Sequence, residues 1–269
     1  MELAICSFAS GSSGNCFLVK TENTSVLVDA GISGKQVENG LGALGLTTAD
    51  LDAVLITHEH SDHIKGLKIV SSRSCAPVYA SRGTFGGIEF SEELSDKRVF
   101  CPGDCFFVGD IKITSFATSH DAAEPSGFTF EAGGKKISIV TDTGTVTEDC
   151  YCRVKDADIL VLESNHDESV LRMGRYPWFL KQRILSDSGH LSNEAAANMV
   201  LRILQEEQAS GRPQKNRLVL LAHLSKENNF PEMALQTMSN ILGMGGFSAG
   251  GRLRITVLSR TERSPLYTL

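Results

Sequence analysis

No stretch of this chain approaches the roughly 18 uninterrupted apolar residues of a membrane-spanning helix, so a membrane partner is not expected. The opening Met-Glu-Leu-Ala-Ile-Cys lacks the basic start, the long apolar run and the small-residue cleavage site of a secretory signal, and a cytoplasmic location follows as the expectation. CxxC pairs are missing too. The seven cysteines (6, 16, 75, 101, 105, 150 and 152) make an odd number, which fits free thiols in a reducing compartment rather than a disulfide framework. Cys101 and Cys105 have metal-like spacing, but no second cysteine or histidine pair lies near them. Positive charge is not in excess: the net charge is −6, so no global basic field draws the chain to nucleic acid. Repeats, low-complexity tracts and evident linkers are also lacking. The apolar and charged fractions, 41% and 22%, exclude wholesale disorder, and 269 residues suffice for a large core.

What the chain has is a concentration of histidine. From Ile56 to His63 it reads I-T-H-E-H-S-D-H, holding three of its seven histidines. His58 and His60 flank one residue, so an extended or just-turning backbone can point both imidazoles to one side. Asp62 and His63 follow where a helix start would swing them toward the same point. Three imidazoles and a carboxylate suit a borderline divalent metal, zinc, manganese or iron, better than calcium or magnesium. The apolar run Ala53-Val54-Leu55-Ile56 delivers the cluster to a strand end.

Strand and helix patterns alternate along the chain. Ile5–Phe8, Phe17–Lys20 and Ser25–Asp29 read as strands, the first two joined by a small-residue turn at 9–15. Ser33 can cap a helix carrying Val37, Leu41 and Leu44 on one face, with Gly45 as its stop. A strand Ala53–Thr57 precedes one helical stripe of Ile64, Leu67 and Val70 and a short strand near Val78. Asp110–Phe116 alternates, and Phe128–Glu131 can pair with Lys136–Val140 across Ala132-Gly133-Gly134-Lys135. Ile159–Leu162, Leu218–Leu221 and Leu253–Leu258 read as strands, with helices from Ser192 to about Gln208 and over Met233–Leu242. Such an order favours sheets covered by helices, with ligands gathered at strand ends.

Three further metal-competent side chains stand just past predicted strands: His120 in Ser119-His120-Asp121, Asp142 in Thr141-Asp142-Thr143, and His223 in Ala222-His223-Leu224. They sort into two positions, His58, His60 and His120 for one ion and Asp62, His63 and His223 for the other, with Asp142 as the bridge. Two cations about 3.5–4 Å apart can hold a hydroxide between them and stabilise charge on a phosphoryl or carbonyl oxygen.

His58-Glu59-His60-Ser61-Asp62-His63, with His120, Asp142 and His223 following in order, resembles the HxHxDH motif set of the metallo-β-lactamase fold superfamily over nearly the whole chain. The resemblance implies an α+β fold, a four-layer αββα sandwich in one domain. Ser10-Gly11-Ser12-Ser13-Gly14-Asn15-Cys16, Glu163-Ser164-Asn165-His166-Asp167 and Tyr176-Pro177-Trp178-Phe179-Leu180-Lys181 running into Ser188-Gly189-His190-Leu191-Ser192-Asn193 resemble the YycJ/WalJ/VicX group. That group is nuclease-like and related to tRNase Z and the β-CASP nucleases. The resemblance assigns catalytic roles to Glu163 and His190. About 26 residues separate that pair, too few for an inserted β-CASP domain.

The expected reaction is hydrolysis of a phosphodiester, most of all by a DNA (or RNA) exonuclease, with two zinc, manganese or iron ions and a metal-bridging hydroxide as nucleophile. Asp62 would orient or deprotonate the water, and His190 paired with Glu163 would donate a hydrogen bond to the non-bridging oxygen or protonate the leaving alkoxide. Ser12, Ser13 and Asn15 offer a turn that can hold a phosphate, and Arg175, Trp178 and Lys181 belong to a basic, aromatic segment that can meet nucleic acid. His166 stays outside this set. Small-molecule phosphodiesterase, thioesterase and lactonase chemistry use the same fold and metals. A non-catalytic metal-binding accessory of a two-component signalling system is the third option. No stable protein partner is legible.

Overall fold

The computed structural model describes residues 2–211 and 215–269. In chain order the elements are β1 (Ala4–Ala9), β2 (Cys16–Lys20), β3 (Ser25–Val28), α1 (Gly34–Gly42), β4 (Ala53–Leu55), α2 (Ser61–Ile64), α3 (Leu67–Arg73), β5 (Val78–Ser81), α4 (Arg82–Gly87), β6 (Lys97–Phe100), β7 (Cys105–Val108), β8 (Ile111–Ala117), β9 (Ser126–Ala132) and β10 (Lys135–Val140). There follow α5 (Glu148–Val154), β11 (Ile159–Glu163), α6 (Glu168–Met173), α7 (Trp178–Ile184), α8 (Asn193–Ala209), β12 (Arg217–Ala222), α9 (Pro231–Met244), β13 (Leu253–Val257) and β14 (Tyr267–Thr268). The strands form two mixed sheets of seven, ordered β14-β1-β2-β3-β4-β5-β6 and β13-β12-β11-β10-β9-β8-β7. Two compact units share the chain: residues 1–117, 122–137 and 259–269 in one, 118–121 and 138–258 in the other.

In the first unit, β1, β2 and β3 run antiparallel, and β3 to β6 run parallel. Parallel pairing sets Val28 opposite Leu55, so the chain leaves β3 and β4 side by side. One face of this sheet is buried against α1 and α3 in a core that includes Phe8, Leu18, Leu27, Leu41, Val54 and Leu67. Ser33 caps α1 with its hydroxyl on the Gln36 amide, and the Gln36 side chain returns to the Ser33 amide. This reciprocal cap satisfies two otherwise orphaned donors. The expected single helical stripe at 64–70 is two helices. They part at Gly66, whose amide is drawn to the Ala30 carbonyl at 2.7 Å and where a Cβ would sit 2.2 Å from Ile32 O.

The strand expected over Ala53–Thr57 ends at Leu55, because the Thr57 amide donates to the Asp29 carboxylate at 2.9 Å instead of to a neighbouring strand. Asp29 itself lies just past β3, in the left-handed region with φ 59°. The Gly133-Gly134 hairpin forms as expected, both residues at positive φ (57° and 74°), as a tight primed turn requires.

In the second unit β11, β12 and β13 are parallel, with Glu163 opposite Ala222. Helix α8 packs against α9 and buries Ala196, Val200 and Ile203; Ser192 caps it on the Ala195 amide at 3.2 Å. No helix among the described residues is long and apolar enough to cross a membrane.

Candidate functional site

The first unit gathers His58, His60, Asp62 and His63. Because β3 and β4 leave their sheet side by side, Asp29 lies against the start of the histidine motif. Its Oδ2 accepts from His63 Nδ1 at 2.8 Å, and the Thr57 hydroxyl lies 2.9 Å from the same oxygen and 3.0 Å from His58 Nδ1. Burial raises the Asp29 carboxyl above the ordinary carboxylate range, against the charge and hydrogen bond of His63. With Nδ1 spent on Asp29, Nε2 is the nitrogen of His63 that could ligate a metal. That nitrogen is 3.0 Å from Asn15 Nδ2 and 3.6 Å from Asp62 Oδ2. His58 Nε2 and His60 Nδ1 are 3.1 Å apart.

The backbone of this turn is held by close approach. Asn15 N donates to Asp62 O, Ala30 N to His63 O, and Gly31 N to Asn15 O, each at 2.8 Å. A Cβ on Gly31 would fall 1.6 Å from the Asp62 carbonyl oxygen, so only glycine lets the three segments meet.

The second unit gathers His120, Asp142 and His223, each just past a strand, Glu163, the last residue of β11, and His190, just before α8. Glu163 is its hub. One carboxylate oxygen accepts from both His190 Nδ1 (2.8 Å) and His223 Nδ1 (2.7 Å), and the other from the amides of Thr143 (2.9 Å) and Leu191 (3.2 Å). Burial favours the protonated carboxyl, but the charge and hydrogen bonds of His190 and His223 prevail and hold Glu163 well below the usual range. Asp142 Oδ1 stands 3.4 Å from His223 Nδ1, 3.8 Å from His190 Nδ1 and 3.9 Å from His120 Nε2. Donor atoms of Asp142, Glu163, His190 and His223 all lie within 4.8 Å of one another. His120 Nδ1 donates to the Gly189 carbonyl at 3.0 Å, and burial, partly offset by Asp142, pushes its imidazole below the ordinary value.

The donor set fits a transition metal. In His63, His120 and His223 the Nδ1 proton is taken by a buried carboxylate or carbonyl, which fixes the tautomer and presents Nε2. Among the described residues only Asp29, Asp142 and His223 adopt a left-handed backbone without being glycine (φ 59°, 57° and 55°). Strain of about 1–3 kcal/mol each is characteristic of functional positions.

Ser12 and Ser13 are exposed, whereas Asn15 is buried, its side chain on Gly11 and His63. Arg175 and Trp178 are exposed; Lys181 is turned inward, its ammonium donating to the Arg172 carbonyl at 2.7 Å. Sequence reasoning missed Asp29, Thr57 and the Gly189 carbonyl. Asp29 alone carried a signal, an acid directly after a buried strand like Asp142, but it read as the last residue of β3.

The beta-lactamase superfamily domain matches residues 24–209. The chain is 41% identical over 258 residues to exodeoxyribonuclease YycJ of Bacillus anthracis, covering 95% of each, and 41% identical over 263 residues to exodeoxyribonuclease WalJ of Streptococcus pneumoniae, covering 96% of this chain and 95% of that one. It belongs to the metallo-β-lactamase superfamily. Within it, the chain is of the YycJ/WalJ type. The crystal structure of the metallo-β-lactamase fold protein YhfI of Bacillus subtilis superposes with a TM-score of 0.69 at 16% identity, over 97% of this chain and 99% of that one. That likeness shows the αββα fold. As a member of this superfamily with such a donor set, the chain is a metal-dependent hydrolase.

Proposed function

We propose that this superfamily member is an exonuclease that cleaves phosphodiester bonds at DNA ends. The observation that carries the reading is the Glu163–His190 pair, clustered with the donor atoms of Asp142 and His223, in a chain 41% identical to two exodeoxyribonucleases. His58, His60 and His120 would hold one divalent ion and Asp62, His63 and His223 a second, with Asp142 shared between them. Zinc and manganese both suit the histidine–carboxylate set. When bound, such ions make a water acidic at neutral pH and neutralise charge developing on the phosphoryl oxygens.

The chain's own residues supply the rest. Asp62 accepts the proton of the attacking water. Ionised Glu163 holds the Nδ1 proton of His190 at 2.8 Å, which fixes the ring's tautomer and orientation and leaves Nε2 to face the substrate. Nε2, protonated, donates to the leaving 3′ or 5′ oxygen as the ester bond breaks. Ser12 and Ser13, exposed at the 10–15 turn, are proposed phosphate contacts, and Arg175 and Trp178 strand contacts.

The test is a digest of end-labelled single- and double-stranded DNA and RNA by metal-loaded protein, beside bis-p-nitrophenyl phosphate. Mononucleotide release from DNA, abolished in His60→Ala and reduced at least a hundredfold in His190→Ala, is expected. Cleavage of the small ester alone, or nuclease activity surviving in His60→Ala, would sink the reading.

A further inference from the structure

We infer that the segment from α6 to α7 is a stacking platform for unpaired nucleotides of a DNA strand, with Trp178 and Phe179 taking the bases and Arg175 a phosphate; the inference rests on the nuclease reading. Three of the nine large apolar side chains exposed among the described residues fall within seven positions: Met173 (81% exposed), Trp178 (63%) and Phe179 (72%). The others are scattered. The same stretch is basic within an acidic chain. Residues 169–186 hold Arg172, Arg175, Lys181 and Arg183 and no acid, against a net charge of −6 overall.

These cations are not equivalent. Arg172 pairs with Glu168, Lys181 is buried on the Arg172 carbonyl, and Arg183 pairs with Asp121. Arg175 is exposed and has no ion-pair partner among the described residues. One unspent guanidinium therefore lies three positions before two adjacent exposed rings. The segment is also fixed in place. Lys181 ties α7 to the end of α6. At the other end Arg183 holds the neighbour of His120, and Gly189, just before His190, accepts from His120 itself. A strand on the rings would continue along the same stretch of chain to the Glu163–His190 pair.

Unpaired bases suit this surface better than a duplex. Aromatic side chains stack on exposed base faces, which a paired duplex hides except at its ends. Tracking a duplex backbone takes a row of free cations, and this patch offers one. A second copy of the chain fits poorly, since two-fold pairing would set the basic stretch against itself.

Trp178 is the only tryptophan in the chain, so its emission reads the platform directly. The full chain carrying His190→Ala, which spares the oligonucleotide, is titrated with a thymidine 12-mer and with a blunt GC-rich hairpin. Saturable quenching by the 12-mer, with at least tenfold weaker binding of the hairpin, is expected. Stacking is worth about 1–3 kcal/mol per base, so Phe179→Ala weakens 12-mer binding about 5- to 150-fold. Arg175→Gln lowers the salt slope of binding by about one. Equal quenching by both ligands, unchanged affinity in Phe179→Ala, or sedimentation showing a dimer that Trp178→Ala dissolves overturns the platform. If metal-loaded wild type releases nucleotides from DNA and Trp178→Ala and Phe179→Ala do so with unchanged KM, the platform fails and the nuclease stands. If wild type cleaves no DNA, the nuclease reading fails first.

Discussion

Asp29 shows how much of the site's chemistry sits one residue behind the ligands. It touches no expected metal position, yet it sets the tautomer of His63 and positions Thr57 beside His58. Asp29→Ala is expected to weaken metal affinity about 10–100-fold, measured by competition with a chromogenic chelator. Glu163 plays the same part for two histidines at once. Glu163→Gln should lower kcat about a hundredfold with little change in KM, since the amide cannot stabilise the His190 imidazolium. His166 gives a pH signature. It is buried, its ring nitrogens meet no hydrogen-bond partner among the described groups, and burial brings its pKa down to about 4. The unfolded chain, with an ordinary imidazole near 6.5, binds the extra proton between those values. Stability is therefore fully present above about pH 6.5 and falls as pH drops toward 4, by about 3 kcal/mol from this residue. Denaturant titrations at pH 7 and 4.5 should show a smaller loss in His166→Phe than in wild type.

At the scale of elements, the legible parts were those whose burial leaves a pattern. The runs at Val26–Val28, Val54–Leu55, Leu160–Leu162 and Leu218–Leu221 are buried throughout and read directly as strands. Strands β6 and β7 left no such mark. Each closes one edge of its sheet, and most of their side chains are half-buried or exposed, so neither a run nor an alternation forms. Helix α4, Arg-Gly-Thr-Phe-Gly-Gly, is hidden by its three glycines. The HxHxDH motif and the later candidate donors were legible because residue type and strand end coincide. Asp29, Thr57 and the Gly189 carbonyl were not, because their roles depend on which strands pair. Gly31→Ala tests the backbone side of this arrangement. The methyl group collides with Asp62 O, so the turn must open, and a loss of about 1–3 kcal/mol in stability with weaker metal uptake is expected from thermal melts with and without metal.

For the whole molecule, a donor set that exists only in the folded chain couples metal to stability. Binding at a thousandfold excess over Kd adds about 4 kcal/mol per site, so chelation should lower Tm by several degrees and re-addition of metal restore it. The three strained residues carry a different consequence. At Asp29, Asp142 and His223 the left-handed backbone would be easier for glycine, and asparagine would tolerate it well. A variant library screened for heat resistance in the absence of substrate should drift toward those two residues at positions 29, 142 and 223, and so enrich sturdy but inactive proteins. Any effort to harden this scaffold must hold those three codons fixed, since selection on folding alone pulls against the chemistry there.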